Sequence, residues 1–499
     1  MDFSYKIDDC NWIEIKDRHI NEKEFEKKQM DIIKSFRFHL ANLKETSKKY
    51  QESNSYFDNL YSFIREMKII LNEEDTKTYL PHSFIEQEMI NYLCGSLKLD
   101  DNSPNYCIQT EMINLLNRVI VFLNLEKPLT IFQHNESCMI ETFKYLIGID
   151  QDQMMPTIFK FLELIYDGTP ESIKFTFEIL PLNVLQELNF RICGKYGNYI
   201  ASLVLKFTKY SVPSDKIKIL FDIIKYIMEN GQNNSIEPCL SSLKNILKYY
   251  QKYEGAEEKQ IIKNIFEKDE DFPSLCIKSL EREDDKIQCL VFEFIGLLCY
   301  FGFTLNINPE VNYLRLFTEA NEALSIYKAM DSIYSNNENI RRRAALVFKY
   351  AYYKNFDKHS DYLLLNASQY IKKLMNSIDD DVFLVAFSAS EALLHIILRL
   401  PVVKLKEQIF QNSLFHFIRR IIDFGDFDVN SLIEFLNHIF LIAEKQSWYA
   451  DCFSEFFKYD CYEGLNDLLV NAKSENDFNC ISHFLTMYKE QYTRMQNPA

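Results

Sequence analysis

The chain is poor in the residues that punctuate a fold. Eleven glycines and twelve prolines in 499 residues come to under about 5%, where average usage is nearer 12%. Sandwiches and barrels need a turn residue roughly every 8–12 positions, so an all-β fold is excluded. Collagen-like, Gly/Ser-linker and mucin-like chains are excluded with it. Long apolar runs are missing too. The longest, Leu290 to Leu305, contains Glu293 and falls short of the roughly 20 residues that a membrane span needs, so it reads as a buried helix. The start, Met-Asp-Phe-Ser-Tyr-Lys-Ile-Asp-Asp-Cys, has no apolar core of the kind a secretory signal carries.

Positive charge is in deficit. Lysine plus arginine is 56 against 72 for aspartate plus glutamate, a net charge of −16, which is the wrong sign for a general nucleic-acid or anionic-membrane partner. Neither is expected. Twelve cysteines contain no Cys-x-x-Cys, and the closest pair, Cys452 and Cys461, is nine apart, so paired zinc ligands are lacking. Cysteines in apolar helical patterns, such as Cys193, Cys289 and Cys299, read as small core hydrophobes in a reducing compartment. The expected location is cytoplasmic, nuclear or both.

Chemistry-bearing motifs are also scarce. There is no Gly-x-Gly-x-x-Gly or Gly-x-x-x-x-Gly-Lys to cradle phosphates, no His-Glu-x-x-His, and no Gly-x-Ser-x-Gly elbow. No two histidines stand three or four apart, so no single helix turn offers two to one metal. The nearest glycine pair, Gly194-Lys-Tyr-Gly197, reads as a loop between two helices. His395, His416 and His438 lie in apolar helical patterns and read first as structural histidines. Catalytic residues, cofactors and metals are accordingly not expected, and the chain is read as no enzyme; a site assembled from distant residues is the low-ranked alternative.

What is present is helical periodicity almost throughout. Residues 22–51 carry Phe25, Met30, Ile33, Phe36, Leu40 and Leu43 at amphipathic spacing. Further helices are expected at about 56–72, 84–98, 109–125 and 136–148. The prolines divide the chain into helix-sized pieces, because proline is tolerated in a first helical turn and not in the interior. The chain is all-α.

A junction recurs in the second half. A polar knot precedes an apolar anchor that opens a long helix: Glu-Asp-Asp-Lys-Ile287, Asn-Asn-Glu-Asn-Ile340, Asp-Asp-Asp-Val382, Asp-Phe-Asp-Val429 and Ser-Glu-Asn-Asp-Phe478. The anchors are 53, 42, 47 and 49 residues apart, close to the period of stacked helical repeats. Small or apolar residues follow at the fourth, seventh, eighth and eleventh positions, as in Ala344, Val347, Phe348 and Ala351 after Ile340. A helical hairpin cannot cover such a face alone, so successive repeats must stack.

Ile340-Arg-Arg-Arg-Ala-Ala-Leu-Val-Phe-Lys-Tyr-Ala351 resembles the third-helix signature of the armadillo-repeat family. Tyr462-Glu-Gly-Leu-Asn-Asp-Leu-Leu469 with Ser474-Glu-Asn-Asp477 is similar to a last repeat of the importin-alpha type. The resemblance implies a right-handed α-solenoid of roughly eight to ten helical repeats. Its expected organisation is a tail (1–20), a helical cap region (21–103), degenerate repeats (104–270) and clearer repeats (271–499). It also implies a non-enzymatic scaffold or adaptor that holds a protein or extended peptide along the groove lined by third helices. Arg341, Arg342, Arg343, Tyr350, Tyr353, Ser388 and His395 are the candidate groove residues, the arginines for an acidic or phosphorylated segment and the aromatics as anchors. The alternative is a divergent nuclear-transport adaptor. That family's tryptophan–asparagine array has no counterpart here: the expected positions hold Leu346 and Tyr350, Ser388 and Ala392, or Phe435 and Ile439.

Overall fold

The computed structural model describes residues 9–496 except 53–55, 82–84, 86–88, 98–105, 133–134, 150–151, 211–213, most of 253–283, 302–331, 355 and 426. Residues 1–8 of the expected tail and the boundary at 270 lie outside the described residues. The described residues are all-α, packed helix upon successive helix in a solenoid-like manner, and they divide into two compact units, 1–242 and 243–499.

In the first unit a long α1 (Asp9–Glu52) lies against α2 (Phe57–Ile70) and α3 (Glu74–Tyr79), with the short α4 (Asn91–Ser96) following. Thereafter come α5 (Tyr106–Leu123), α6 (Glu136–Gly148), α7 (Met155–Ile165), α8 (Pro170–Ile179), α9 (Leu182–Lys209) and α10 (Ser214–Asn230). The order of packing is α2 on α5, α5 on α7, α7 on α9 and α9 on α10. Apolar stripes meet in the core, where Phe143 and Phe161 stack with ring centroids 4.5 Å apart. Buried amides link neighbours across it: Asn117 Nδ2 donates to the Thr157 carbonyl (3.1 Å) and Asn189 Nδ2 to that of Ile223 (3.2 Å).

Among the described residues the prolines largely fall where expected; Pro104, Pro213, Pro273 and Pro309 lie outside them. Pro156 and Pro170 sit in the first turns of α7 and α8, and Thr169 caps α8 by accepting from the Ser172 N–H. Pro238 departs from the expectation, lying inside α11 (Asn233–Lys252). It stands just past the first turn, so only the carbonyl of the exposed Asn234 loses its donor.

The Gly194–Gly197 segment is not the expected loop, since α9 runs through it without a break. Gly197 is buried, and a Cβ there would stand 3.1 Å from Cys193 Sγ and 3.8 Å from Ser235 Oγ. Gln232 Nε2 donates to the Gly194 carbonyl at 3.3 Å. Close approach of the start of α11 offsets the roughly 1 kcal/mol that helical glycine costs.

Gly168, between α7 and α8, has φ +82°, and a Cβ there would overlap the ring of Tyr210. Gly168→Ala is therefore expected to lower stability by about 2 kcal/mol or more. Gly148→Ala, at a helical position with open space around it, is expected to be neutral or mildly stabilising. Urea denaturation of the full chain checks the contrast, and equal midpoints for the two variants would refute it.

The second unit contains α12 (Asp285–Phe301), α13 (Glu338–Lys354), α14 (Phe356–Asp380), α15 (Phe383–Ile397), α16 (Val402–Phe410), α17 (Leu414–Asp423), α18 (Val429–Lys445), α19 (Tyr449–Lys458), α20 (Cys461–Val470) and α21 (Glu475–Gln496). Here α12 packs on α13 and α13 on α15, while α18 packs on α21 and α17 on α20. Each anchor residue stands at or within the first turn of its helix: Ile287 in α12, Ile340 in α13, Val382 capping α15, Val429 opening α18 and Phe478 in α21.

Candidate partner-binding groove

Four of the five polar knots are helix caps. Asp284 Oδ1 accepts from the N–H groups of Lys286 (2.9 Å) and Ile287 (3.2 Å), and Asn337 Oδ1 from those of Asn339 (2.9 Å) and Ile340 (3.4 Å). Asp428 accepts from Ser431 and Ser474 from Asp477, whereas Asp381 accepts only from the adjacent Val382, the residue at the N-cap position. The side-chain oxygens satisfy N–H groups that a helix start leaves open, each worth about 1 kcal/mol.

The knots also reach across repeats. Asn337 Nδ2 donates to Asp285 (2.8 Å) and Asn476 Nδ2 to Asn430 (3.1 Å). Arg341 forks onto Asp381 through Nε and Nη2, both at 2.7 Å, while its Nη1 donates to the Ser335 carbonyl at 2.7 Å.

Capping sets where each long helix begins, and so which residues come level on neighbouring helices. Lys349, Glu391 and His438 each stand nine residues past the anchors Ile340, Val382 and Val429. All three line one cleft of about 640 Å³ formed by α13, α15 and α18. Tyr350, His395 and Arg399 line it too, with Glu434 on its far wall. Lys349 Nζ donates to Glu391 Oε1 at 2.6 Å. Alongside, Glu293 takes Lys244 at 3.0 Å and Arg343 at 3.6 Å, so ion pairs alternate from helix to helix. Burial, assisted by Lys349 and Arg399, pulls His395 down to about 4. Burial and Arg399 also lower His438. At neutral pH both imidazoles are uncharged, each offering one donor and one acceptor beside a guanidinium.

The structure distributes the candidate residues unevenly. Tyr350 and His395 come together in the cleft. Arg341 and Arg343 are engaged with Asp381 and Glu293, and the half-buried Arg342 keeps an Nε that lacks a hydrogen-bond partner among the described residues. Ser388 is only 3% exposed and forms part of the core of α15. Tyr353 is on α13, but its side chain lies outside the described residues. Sequence reasoning passed over Lys349, Glu391, Arg399 and Glu434 and set His438 aside as structural. The position nine past each anchor was the available signal for three of these.

Among the described residues no group of three or more His, Cys, Asp or Glu side chains is arranged to hold a metal ion. Buried thiols are held protonated: desolvation, with Cys138 nearby, pushes Cys94 up to about 12 and raises Cys239 and Cys461 as well. Cys193 is buried as expected, whereas Cys289 is half-buried, and the side chain of Cys299 lies outside the described residues. No helix among the described residues is long and apolar enough to cross a membrane.

No protein-family model matches this chain, and no curated protein matches it. Among solved structures, an engineered protein matches 91% of this chain and 99% of its own length at TM-score 0.57 and 14% identity. That is a likeness of fold. The architecture is all-α and solenoid-like. Designed armadillo-repeat proteins are also similar over part of the chain. One, in complex with a (KR)4 peptide, covers 52% of this chain at TM-score 0.39 and 12% identity. Another, designed for modular peptide recognition, covers 51% at 0.39 and 13%.

Proposed function

We propose that this protein is a non-enzymatic scaffold or adaptor that holds a partner protein, or an extended segment of one, in the cleft of α13, α15 and α18. One observation carries the reading: the helices opened by three successive anchors contribute Lys349, Glu391 and His438, level in the repeat, to a single concavity. Stacked repeats form extended binding faces of this kind. The cleft's mixture suits a peptide: neutral imidazoles, paired charges and the Tyr350 ring supply hydrogen bonds and aromatic area together. The clearer repeats, 271–499, would hold the partner, in the cytoplasm or nucleus.

Site-directed photocrosslinking of the full chain tests this. A photoreactive amino acid in place of Tyr350 or Leu398, both lining the cleft, is expected to capture the same partner. The same group in place of Val403, which is 80% exposed on α16, is expected to capture none. Equal capture from position 403 would remove the support for the cleft. A basic nuclear-signal peptide is not expected to compete; if it did, the transport-adaptor alternative would gain the ground lost here.

A further inference from the structure

The first unit has a cleft of opposite character. About 520 Å³ in volume, it lies across α2, α5 and α7. Four cations line it, Arg65, Lys68, Arg118 and Lys160, and no carboxylate does among the described residues. Two of the cations are neutralised from the rim: Lys68 pairs with Glu111, and Lys160 with Glu163 at 3.0 Å. Arg65 and Arg118 are exposed and have no hydrogen-bond or ion-pair partner among the described residues. In a chain of net charge −16, two open guanidiniums in one cleft are a local reversal of sign.

Apolar surface accompanies the charge. Ile69, 54% exposed, follows Arg65 by one turn on α2, and Val121, 53% exposed, follows Arg118 by about one turn on α5. Each of two adjacent helices therefore presents a guanidinium and an aliphatic side chain on the same face. A free phosphate or other small anion would use the first and leave the second in water.

We infer that this cleft binds an extended peptide segment carrying carboxylate side chains separated by an apolar residue. Packed helices lie about 8–10 Å apart, and an extended polyproline-II chain rises about 3.1 Å per residue with three residues per turn, so acids three positions apart lie on one side of it and meet Arg65 and Arg118 in turn. An apolar residue between them covers Ile69 and Val121, and the guanidiniums fork onto the carboxylates. A nucleic acid is disfavoured, because many phosphates would meet the acidic surface while two free cations neutralise few of them. The inference concerns residues other than those of the α13–α15–α18 cleft, and neither reading needs the other.

Fluorescence anisotropy with the full chain tests it, using labelled peptides about ten residues long that share leucine positions and carry Glu, Gln or Lys elsewhere. The Glu peptide is expected to bind and to weaken with added salt, the Gln peptide to bind about tenfold more weakly, and the Lys peptide not to bind. Arg65→Glu with Arg118→Glu is expected to abolish binding, with circular dichroism unchanged because both side chains are exposed. Arg65→Gln with Arg118→Gln serves if the reversal impairs folding, and is expected to weaken binding about tenfold. Ile69→Ser is expected to weaken it severalfold with the salt dependence retained. Equal affinity for the Glu and Lys peptides, wild-type binding by both arginine double variants, or preference for a single-stranded RNA oligonucleotide would overturn the inference.

Discussion

Replacing Phe440 by alanine is expected to destabilise the second unit by about 4 kcal/mol. The ring is fully buried on α18 and joins three other helices. It meets Phe415 of α17 (6.3 Å between centroids), Phe453 and Phe456 of α19 (5.6 and 5.5 Å), and Phe484 and Tyr488 of α21 (5.9 and 4.8 Å). Alanine would remove the shared centre of a cluster whose members belong to separate helices, so no single shift could close the void. Phe440→Leu, which leaves most of the volume filled, is expected to cost about half as much. Trp448 is buried in the same unit, against Phe410, and in a Trp12→Phe background its fluorescence reports this unit's unfolding in denaturant. A change below about 1 kcal/mol for the alanine variant, an ordinary surface effect, would show that the cluster does not hold the repeats together.

Asp381→Ala is expected to have the next largest effect, about 3 kcal/mol. Its carboxylate is 11% exposed and its partner Arg341 17%, so removing the acid leaves a largely buried guanidinium with the Ser335 carbonyl as its hydrogen-bond acceptor among the described residues and the charge of Glu338 nearby. A guanidinium keeps its proton at any ordinary pH, so the arginine cannot shed its charge to escape. The same substitution takes the acceptor from the Val382 N–H at the start of α15. A double-mutant cycle with Arg341→Ala separates the two losses. A coupling of about 1–3 kcal/mol is expected, with the remainder belonging to the bond from the Val382 N–H. Additive single effects would mean that the knot acts only within its own helix.

These two side chains illustrate why part of the molecule could be read in advance. Phe440 belongs to an apolar stripe whose spacing announces a buried helix face whatever it packs against. Asp381 precedes an anchor in a pattern that recurs four more times, and in those four the capping bond is local, completed within three residues. Helical class, the starts of the long helices and the burial of their stripes all rest on interactions of that short range. The glycine pair at 194 and 197 misled because the balance there is tertiary: Gly197 serves an approach by Ser235, 38 residues away in sequence.

The groove residues divide in the same way. Tyr350 and His395 fell on the cleft because their register follows from the anchors. The arginine triplet read as an anion site, yet Arg341 is bound to an acid 40 residues on and Arg343 to one on the preceding long helix. The open guanidiniums proved to be Arg65 and Arg118, which no motif marks. By itself the sequence determined an all-α chain of capped helices with stackable faces, because periodicity and capping act within a turn or two. Tertiary structure alone decided which charges are paired and which face open clefts, because that depends on what each neighbouring helix, some 40 to 50 residues away, places opposite them.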